Sequence, residues 1–147
     1  MYQRILIATD GSALSQKAVK AGIELAASLD AEVIALNVVP RYPTSYLEGA
    51  VVLAPSEMER VEKQWAAEGQ AVADAVKKAG EAVQVKVEAL ISISNSTAPS
   101  ILATAEKYKC ELIVMASHGH KGFKRLLLGS ETLDVLTHST IPVLVLR

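Results

Sequence analysis

From Met115 to Glu131 the chain reads Met-Ala-Ser-His-Gly-His-Lys-Gly-Phe-Lys-Arg-Leu-Leu-Leu-Gly-Ser-Glu. His118, His120, Lys121, Lys124 and Arg125 carry positive or titratable charge, and no acid stands between them. Gly119 and Gly122 tolerate backbone angles that strain other residues and let a ligand come close to the main chain. Gly129-Ser130 then opens a predicted helix, where free N–H groups and the helix dipole favour an anion. An apolar run, Leu112-Ile113-Val114, precedes the stretch and reads as a buried strand. Strand, glycine loop, cations and helix N-terminus together point to a phosphate-bearing ligand; the plainer alternative is a solvated loop with incidental lysines.

A second candidate stands near the start of the chain. Ile5-Leu6-Ile7-Ala8 reads as a buried parallel strand, and Thr9-Asp10-Gly11-Ser12 follows it as a turn into a helix. Asp10 is thus placed just past the carboxyl end of a strand, where open α/β sheets bind their ligands. The same carboxylate can cap the helix that follows, and one residue can serve both roles.

The elements that must position these residues alternate. A helix is expected from about Ser15 to Leu29, with Ala18, Gly22, Leu25 and Leu29 at helical spacing. Val33 to Val39 is a strand. Pro40 to Pro55 has no clear period and reads as a long loop, either a lid or a variable surface segment. Ser56 and Glu59 form a capping-box pair for a helix that runs to about Ala79, with Met58, Val61, Trp65, Val72 and Val76 on its apolar stripe. Trp65 is therefore expected in the core, and Gly80 at the helix end. Val83, Val85, Val87 and Ala89 alternate with polar residues, predicting a strand that continues to Ile93. After the polar loop Ser94 to Thr97, Pro99 suits the first turn of a helix whose apolar face is Ile101, Leu102, Ala105 and Tyr108. Leu112 to Ala116 is the fourth strand, and Leu133 and Leu136 anchor a short helix over Thr132 to His138. Ile141 to Leu146 closes the chain as a strand, with Pro142 at its start. Strands that alternate with helices predict an α/β fold, a mostly parallel sheet with helices on both faces. At 147 residues the chain is expected to form one domain, 1–147.

Composition narrows the partners. The net charge of −1 gives no overall pull toward nucleic acid or an anionic membrane, so the basic cluster suits a small anion. Cys110 is the only cysteine, which excludes an internal disulfide and a cysteine metal cluster and reads as a buried thiol. No apolar run approaches the roughly 20 residues of a membrane span, and the chain opens Met-Tyr-Gln-Arg without a signal-peptide pattern. A cytoplasmic protein is expected.

Four stretches now carry a family resemblance: Ile-Leu-Ile-Ala-Thr-Asp-Gly-Ser near the start, Leu-Ile-Val-Met-Ala-Ser-His-Gly, Leu-Leu-Leu-Gly-Ser, and Ile-Pro-Val-Leu-Val-Leu at the end. In this order they resemble the signatures of the universal stress protein family over essentially the whole chain. The resemblance implies a Rossmann-like open sheet of five strands with four helices, a homodimer and, in one branch of the family, ATP binding. That branch resembles the pattern Gly-x2-Gly-x9-Gly-(Ser/Thr), which here falls on Gly119, Gly129 and Ser130, with Ala116 in the place of the first glycine. The added methyl matters most if the position requires positive φ. Ser94 to Ala98 also replaces a Gly-x-Pro turn often seen in the family.

Carried over by position, the resemblance implies that Asp10 bonds the ribose or base, with Ala8 and Thr9 beside it. Val38 would present backbone groups to adenine, and Met115 and Ala116 would line the ribose. Gly119, Gly129, Ser130 and Glu131 would contact ribose and phosphates, with Thr132 nearby. ATP, ADP or AMP is the implied ligand, and Mg2+ or Mn2+ would be bridged by the phosphates, since no protein ligand cage is visible. The family dimer would form through the C-terminal strand, Pro142 to Leu146.

Three functions compete: an ATP-binding stress-response module, a universal stress protein dimer that binds no nucleotide, and an enzyme such as a nucleotidyl-transferase or phosphatase. Against catalysis, no Walker-type Gly-x4-Gly-Lys-(Ser/Thr) is present, no nucleophile is matched with a base, and no metal-ligand cluster occurs. His118 and His120 read as phosphate or water contacts. A binding module is expected rather than an enzyme, with at most slow incidental ATP hydrolysis.

Overall fold

The computed structural model describes residues 1–42, 54–119 and 128–147. Its order is β1 (Arg4–Ala8), α1 (Ala13–Leu29), β2 (Glu32–Val39), α2 (Pro55–Glu81), β3 (Val87–Ile93), α3 (Thr97–Lys107), β4 (Leu112–Ala116), α4 (Ser130–His138) and β5 (Val143–Leu146). The strands form one sheet in the order β3-β2-β1-β4-β5, and every pairing is parallel. β1 lies at the centre, with Ile5 beside Val33 on one side and Leu112 on the other. Parallel strands covered on both faces need apolar residues at every step, and Ile5, Leu6 and Ile7 are accordingly all fully buried.

Alternate residues of these strands feed two cores. Ile5, Ile7, Val33 and Val114 pack with Ala18 and Ile23 of α1 and Val76 of α2. Leu6, Ile34, Leu36 and Ile113 pack with Ala98 and Ile101 of α3 and Val135 of α4. The result is a Rossmann-like open sheet with helices on both faces, as expected from the sequence. Cys110 closes the second core, and its burial pushes the thiol up to about 11.

Several local expectations fail, each for a physical reason. α2 starts two residues earlier than its capping-box pattern suggests. Ala54 is the N-cap and Pro55 occupies the first turn, where its missing N–H costs nothing. Its buried residues are Gly69, Ala73, Val76 and Gly80, small side chains that bring the helix close to the sheet. Trp65 lies before this contact, is half-buried, and stacks on Tyr42 at 5.9 Å between ring centroids. Gly80 lies inside the helix; a Cβ there would run into Val87. The alternating stretch from Val83 is mostly a helix-ending turn. Val83 and Val85 both donate to the Gly80 carbonyl, Gln84 takes φ 62°, and the strand begins only at Val87. On α4 the buried residues are Thr132 and Val135, whereas Leu133 and Leu136 are exposed. α4 also begins at Ser130, and β5 begins only after Pro142, whose carbonyl accepts from Ile113 N–H at 3.0 Å.

At the amino end of the sheet, Arg4 reaches the Tyr108 carbonyl (2.7 Å) and the Glu32 carboxylate (3.1 Å), and Lys86 approaches Glu32 from the other side (3.4 Å). The Arg4 hydrogen bond, with the Lys86 charge second, holds Glu32 below the usual carboxylate range. This rim ties β1, β2 and the approach to β3 together, leaving the opposite rim for the candidate site.

Candidate nucleotide crevice

The chain builds β1, β2 and β3 outward in one direction, then crosses back through α3 to place β4 on the other side of β1. The helices that follow β1 and β4 pack on opposite faces of the sheet, α1 in the first core and α4 in the second, so the carboxyl ends of these two strands form a topological switch point, the candidate crevice. Ligands of open α/β sheets bind at such switch points.

The β1 loop is fixed by its own polar groups. Thr9 N–H donates to the Leu36 carbonyl of β2 at 3.0 Å, and its buried hydroxyl meets Ser15 Oγ at 3.0 Å. Gly11 turns the chain at φ +79°, and its N–H donates to Thr9 Oγ1. Asp10 Oδ1 accepts from Ser12 N–H at 2.9 Å, and Ser12 Oγ accepts from Ser15 N–H at 3.2 Å. Ser12 is thus the cap of α1, and Asp10 is held two residues before it.

On the β4 side, Ser117 N–H donates to the Leu146 carbonyl at 2.8 Å, and the Ser117 carbonyl accepts from Gly129 N–H at 2.7 Å. One buried residue thus fastens the loop both to β5 and to the start of α4. Gly129 is the N-cap of α4 and supplies no side-chain cap. The first N–H groups of a helix lack intrahelical partners, and among the described residues no side chain caps this end. The two loops meet at Gly119, where a Cβ would run into Asp10 Oδ2. At Gly129 a Cβ would lie 3.2 Å from His118 Cα and from the Ser117 carbonyl oxygen. Neither glycine takes a positive φ. Both are explained by close approach of neighbouring atoms.

The sequence-derived residues therefore divide. Asp10, His118, Gly119, Gly129 and the start of α4 come together. Ser130 and Glu131 lie on the first turn, exposed, with Ser130 Oγ donating to Glu131 Oε2 at 2.7 Å. Thr9 and Thr132 turn their hydroxyls inward, Thr132 donating to the Ala116 carbonyl at 2.8 Å. Met115 is buried in the second core, and Ala8 and Val38 pack against it half-buried at the ends of β1 and β2. Ala116 ends β4 without positive φ, and its methyl belongs to the first core with Ile7, Ala18 and Val114. The departure from the glycine pattern is thus absorbed by packing. His120, Lys121, Gly122, Lys124 and Arg125 lie outside the described residues, as does the 43–53 part of the long loop.

Sequence reasoning missed Ser12, Ser15 and Ser117. Their roles are backbone fastening, which no residue-type pattern announces. A hollow of about 660 Å³ lies between α1 and α2; it touches the β1 loop at Thr9 and Gly11 and is otherwise lined mainly by apolar residues such as Val19, Ile23, Val72 and Val76. Among the described residues, no three His, Cys, Asp or Glu side chains gather to hold a metal.

A doubly wound parallel sheet with an uncapped helix end at its switch point defines a class, the α/β domains that hold small ligands at strand ends. Within it, this chain belongs to the universal stress protein family, which it matches over residues 1–147. Universal stress protein MJ0531 of Methanocaldococcus jannaschii is 37% identical over 147 residues, covering 100% of this chain and 83% of that protein. The solved structure of MJ0577 from the same organism superposes with a TM-score of 0.83 at 29% identity, covering 99% of this chain and 96% of the other. A universal stress protein solved in complex with cAMP shares the fold, with a TM-score of 0.66 at 20% identity over 99% of this chain and 97% of its own. Among the described residues, no helix is long and apolar enough to cross a membrane.

Proposed function

We propose that this protein is an adenine-nucleotide-binding stress-response module, with ATP, ADP or AMP in the crevice between β1 and β4, acting through binding rather than catalysis. The observation that carries the reading is the juxtaposition of the uncapped α4 N-terminus with Asp10 and Gly119. In this reading the N–H groups of the first turn of α4, with Ser130 and Glu131, receive the phosphates, and His118 and the cations of residues 120–125 add charge. Asp10 holds the ribose or base, Val38 offers backbone groups to adenine, and Ala8, Thr9, Met115 and Ala116 line the space beneath. A divalent ion, Mg2+ or Mn2+, enters with the phosphates. The family relative solved with cAMP supports an adenine nucleotide as the class of ligand.

The reading includes a cytoplasmic single-domain chain that pairs with a second copy along β5. β5 is the edge of the sheet, and Leu144 is 38% exposed on it. An unpaired apolar edge invites a second strand, and a two-fold axis there closes the assembly. Light scattering during size exclusion is expected to show a dimer that Leu144→Lys converts to a folded monomer. A wild type that is monomeric at tens of micromolar removes the dimer.

Native mass spectrometry of gently purified protein, followed by calorimetric titration with ATP and with GTP, tests the ligand. Co-purified adenine nucleotide, or ATP binding well below millimolar and tighter than GTP, is expected. Absence of both assigns the chain to the nucleotide-free branch of the family.

A further inference from the structure

We propose that Thr132 is the positioning residue of the crevice, a buried hydroxyl that holds the anion-facing end of α4 in place without occupying its donors. The inference rests on the nucleotide reading above but is measurable apart from it. A helix end is usually fixed by a capping side chain, which consumes N–H groups of the first turn. α4 has no such cap, because Gly129 has no side chain and has little room for one. Thr132 supplies the anchorage from inside the helix. It is 2% exposed, and its Oγ1 donates to the carbonyl of Ala116, the last residue of β4, at 2.8 Å. The next residue, Ser117, accepts Gly129 N–H at 2.7 Å. The carbonyls of Ala116, at the end of β4, and of Ser117, just after it, thus grip α4 at its first turn and at its cap. The same stretch is bound to β5 through Ser117 N–H and the Leu146 carbonyl.

The geometry sets the direction of each contact. The Thr132 hydroxyl donates its proton to the Ala116 carbonyl, away from the helix's own backbone, so it withdraws none of the helix's N–H groups from a ligand. Anchoring by a hydroxyl on the buried side therefore leaves the exposed side of the first turn open. A ligand with phosphates senses the placement of this turn, whereas a nucleoside without phosphates does not reach it.

Two measurements on the full chain test this, using Thr132→Val, Thr132→Ser and Thr132→Ala. The first is amide hydrogen exchange without nucleotide. Thr132→Val is expected to speed exchange of Leu133 and Asp134 about tenfold relative to the β1 and β2 amides, and Thr132→Ser to restore it to within about twofold. If Thr132→Val does not fold, Thr132→Ala, which leaves room for a water at the Ala116 carbonyl, is read in its place. The second is calorimetric titration with ATP and with adenosine. Thr132→Val is expected to weaken ATP about tenfold and adenosine less than twofold. Exchange at Leu133 and Asp134 that matches the wild type, a failed rescue by serine, or equal losses for ATP and adenosine overturns the proposal. A wild type that binds neither ligand overturns the nucleotide reading alone, and the exchange measurement still decides the role of Thr132.

Discussion

The N-termini of α1 and α4 flank the crevice and are built on nearly the same cap conformation, φ −66°, ψ 160° at Ser12 and φ −62°, ψ 157° at Gly129. One is closed and the other open. Ser12 Oγ accepts from Ser15 N–H, Ser15 Oγ donates to the Ser12 carbonyl, and Asp10 accepts from Ser12 N–H. Gly129 does none of this, because the β4 loop leaves little space for even a Cβ. Backbone shape alone therefore does not determine whether a helix end is available to an anion. The side chain at the cap decides, and the packing of its neighbours decides which side chain fits. The closed end holds Asp10 in place, and the open end presents donors.

The largest expected effect comes from filling the place where the two ends meet. In Gly119→Val the branched side chain displaces the Asp10 carboxylate and occupies the approach to α4. ATP affinity is expected to fall at least tenfold, roughly 1.4 kcal/mol. A folded variant that binds ATP like the wild type in calorimetry removes Gly119 from the crevice. Ser12→Ala tests the closed end. Loss of the cap is expected to lower stability by about 1 kcal/mol in urea unfolding and to change ATP affinity by less than threefold. An affinity loss as large as that of Gly119→Val breaks the distinction between the two helices. Ala116→Gly removes a methyl that faces the first core, away from both ends. A stability loss of roughly 0.5–1 kcal/mol is expected, with ATP affinity within twofold of wild type. A severalfold gain in affinity instead places that methyl against the ligand.

The alternation of strands and helices was legible because parallel strands buried on both faces must be uninterrupted apolar runs, as Ile5-Leu6-Ile7 and Leu112 to Ala116 are. The sequence placed the Asp10 loop and the Gly119 loop each after a strand, but their meeting rests on β4 lying beside β1, a strand order that the alternation does not give. The closed and open helix ends were less legible. Asp10 fitted a cap as well as Ser12 did, since both residue types accept from backbone N–H groups, and only the turn at Gly11 selects Ser12. Leu133 and Leu136 have the spacing of an anchor, but α4 is a short helix at the sheet margin and docks through Thr132 and Val135. Trp65 fitted the stripe of α2, but the helix reaches the sheet only from Gly69 onward. The alternation at Val83 to Val87 mimicked a strand, but of these valines only Val85 and Val87 are buried; Val83 is 50% exposed in the helix-ending turn. Periodicity reports which residues lie on one side of an element; it does not report how far that element extends past its support.

The smallest expected effect isolates the crevice from the opposite rim. Glu32 is held below the usual carboxylate range by Arg4 and then Lys86, so the folded protein keeps it ionised to lower pH than the unfolded chain does. Its contribution is present above the unfolded pKa and is lost as pH falls through the lower folded one. Arg4 and Glu32 are 38% and 41% exposed, and such pairs are worth less than about 1 kcal/mol and weaken with salt. Glu32→Gln is therefore expected to flatten slightly the fall in urea-unfolding stability on the acid side of the carboxylate range, and less so at high salt. ATP affinity at neutral pH is expected to stay at the wild-type value, since Glu32 begins β2 at the end of the sheet remote from Asp10 and α4. If Glu32→Gln weakens ATP binding, the two rims are coupled through β1, and the contrast between the helix ends is no longer a local property of their caps.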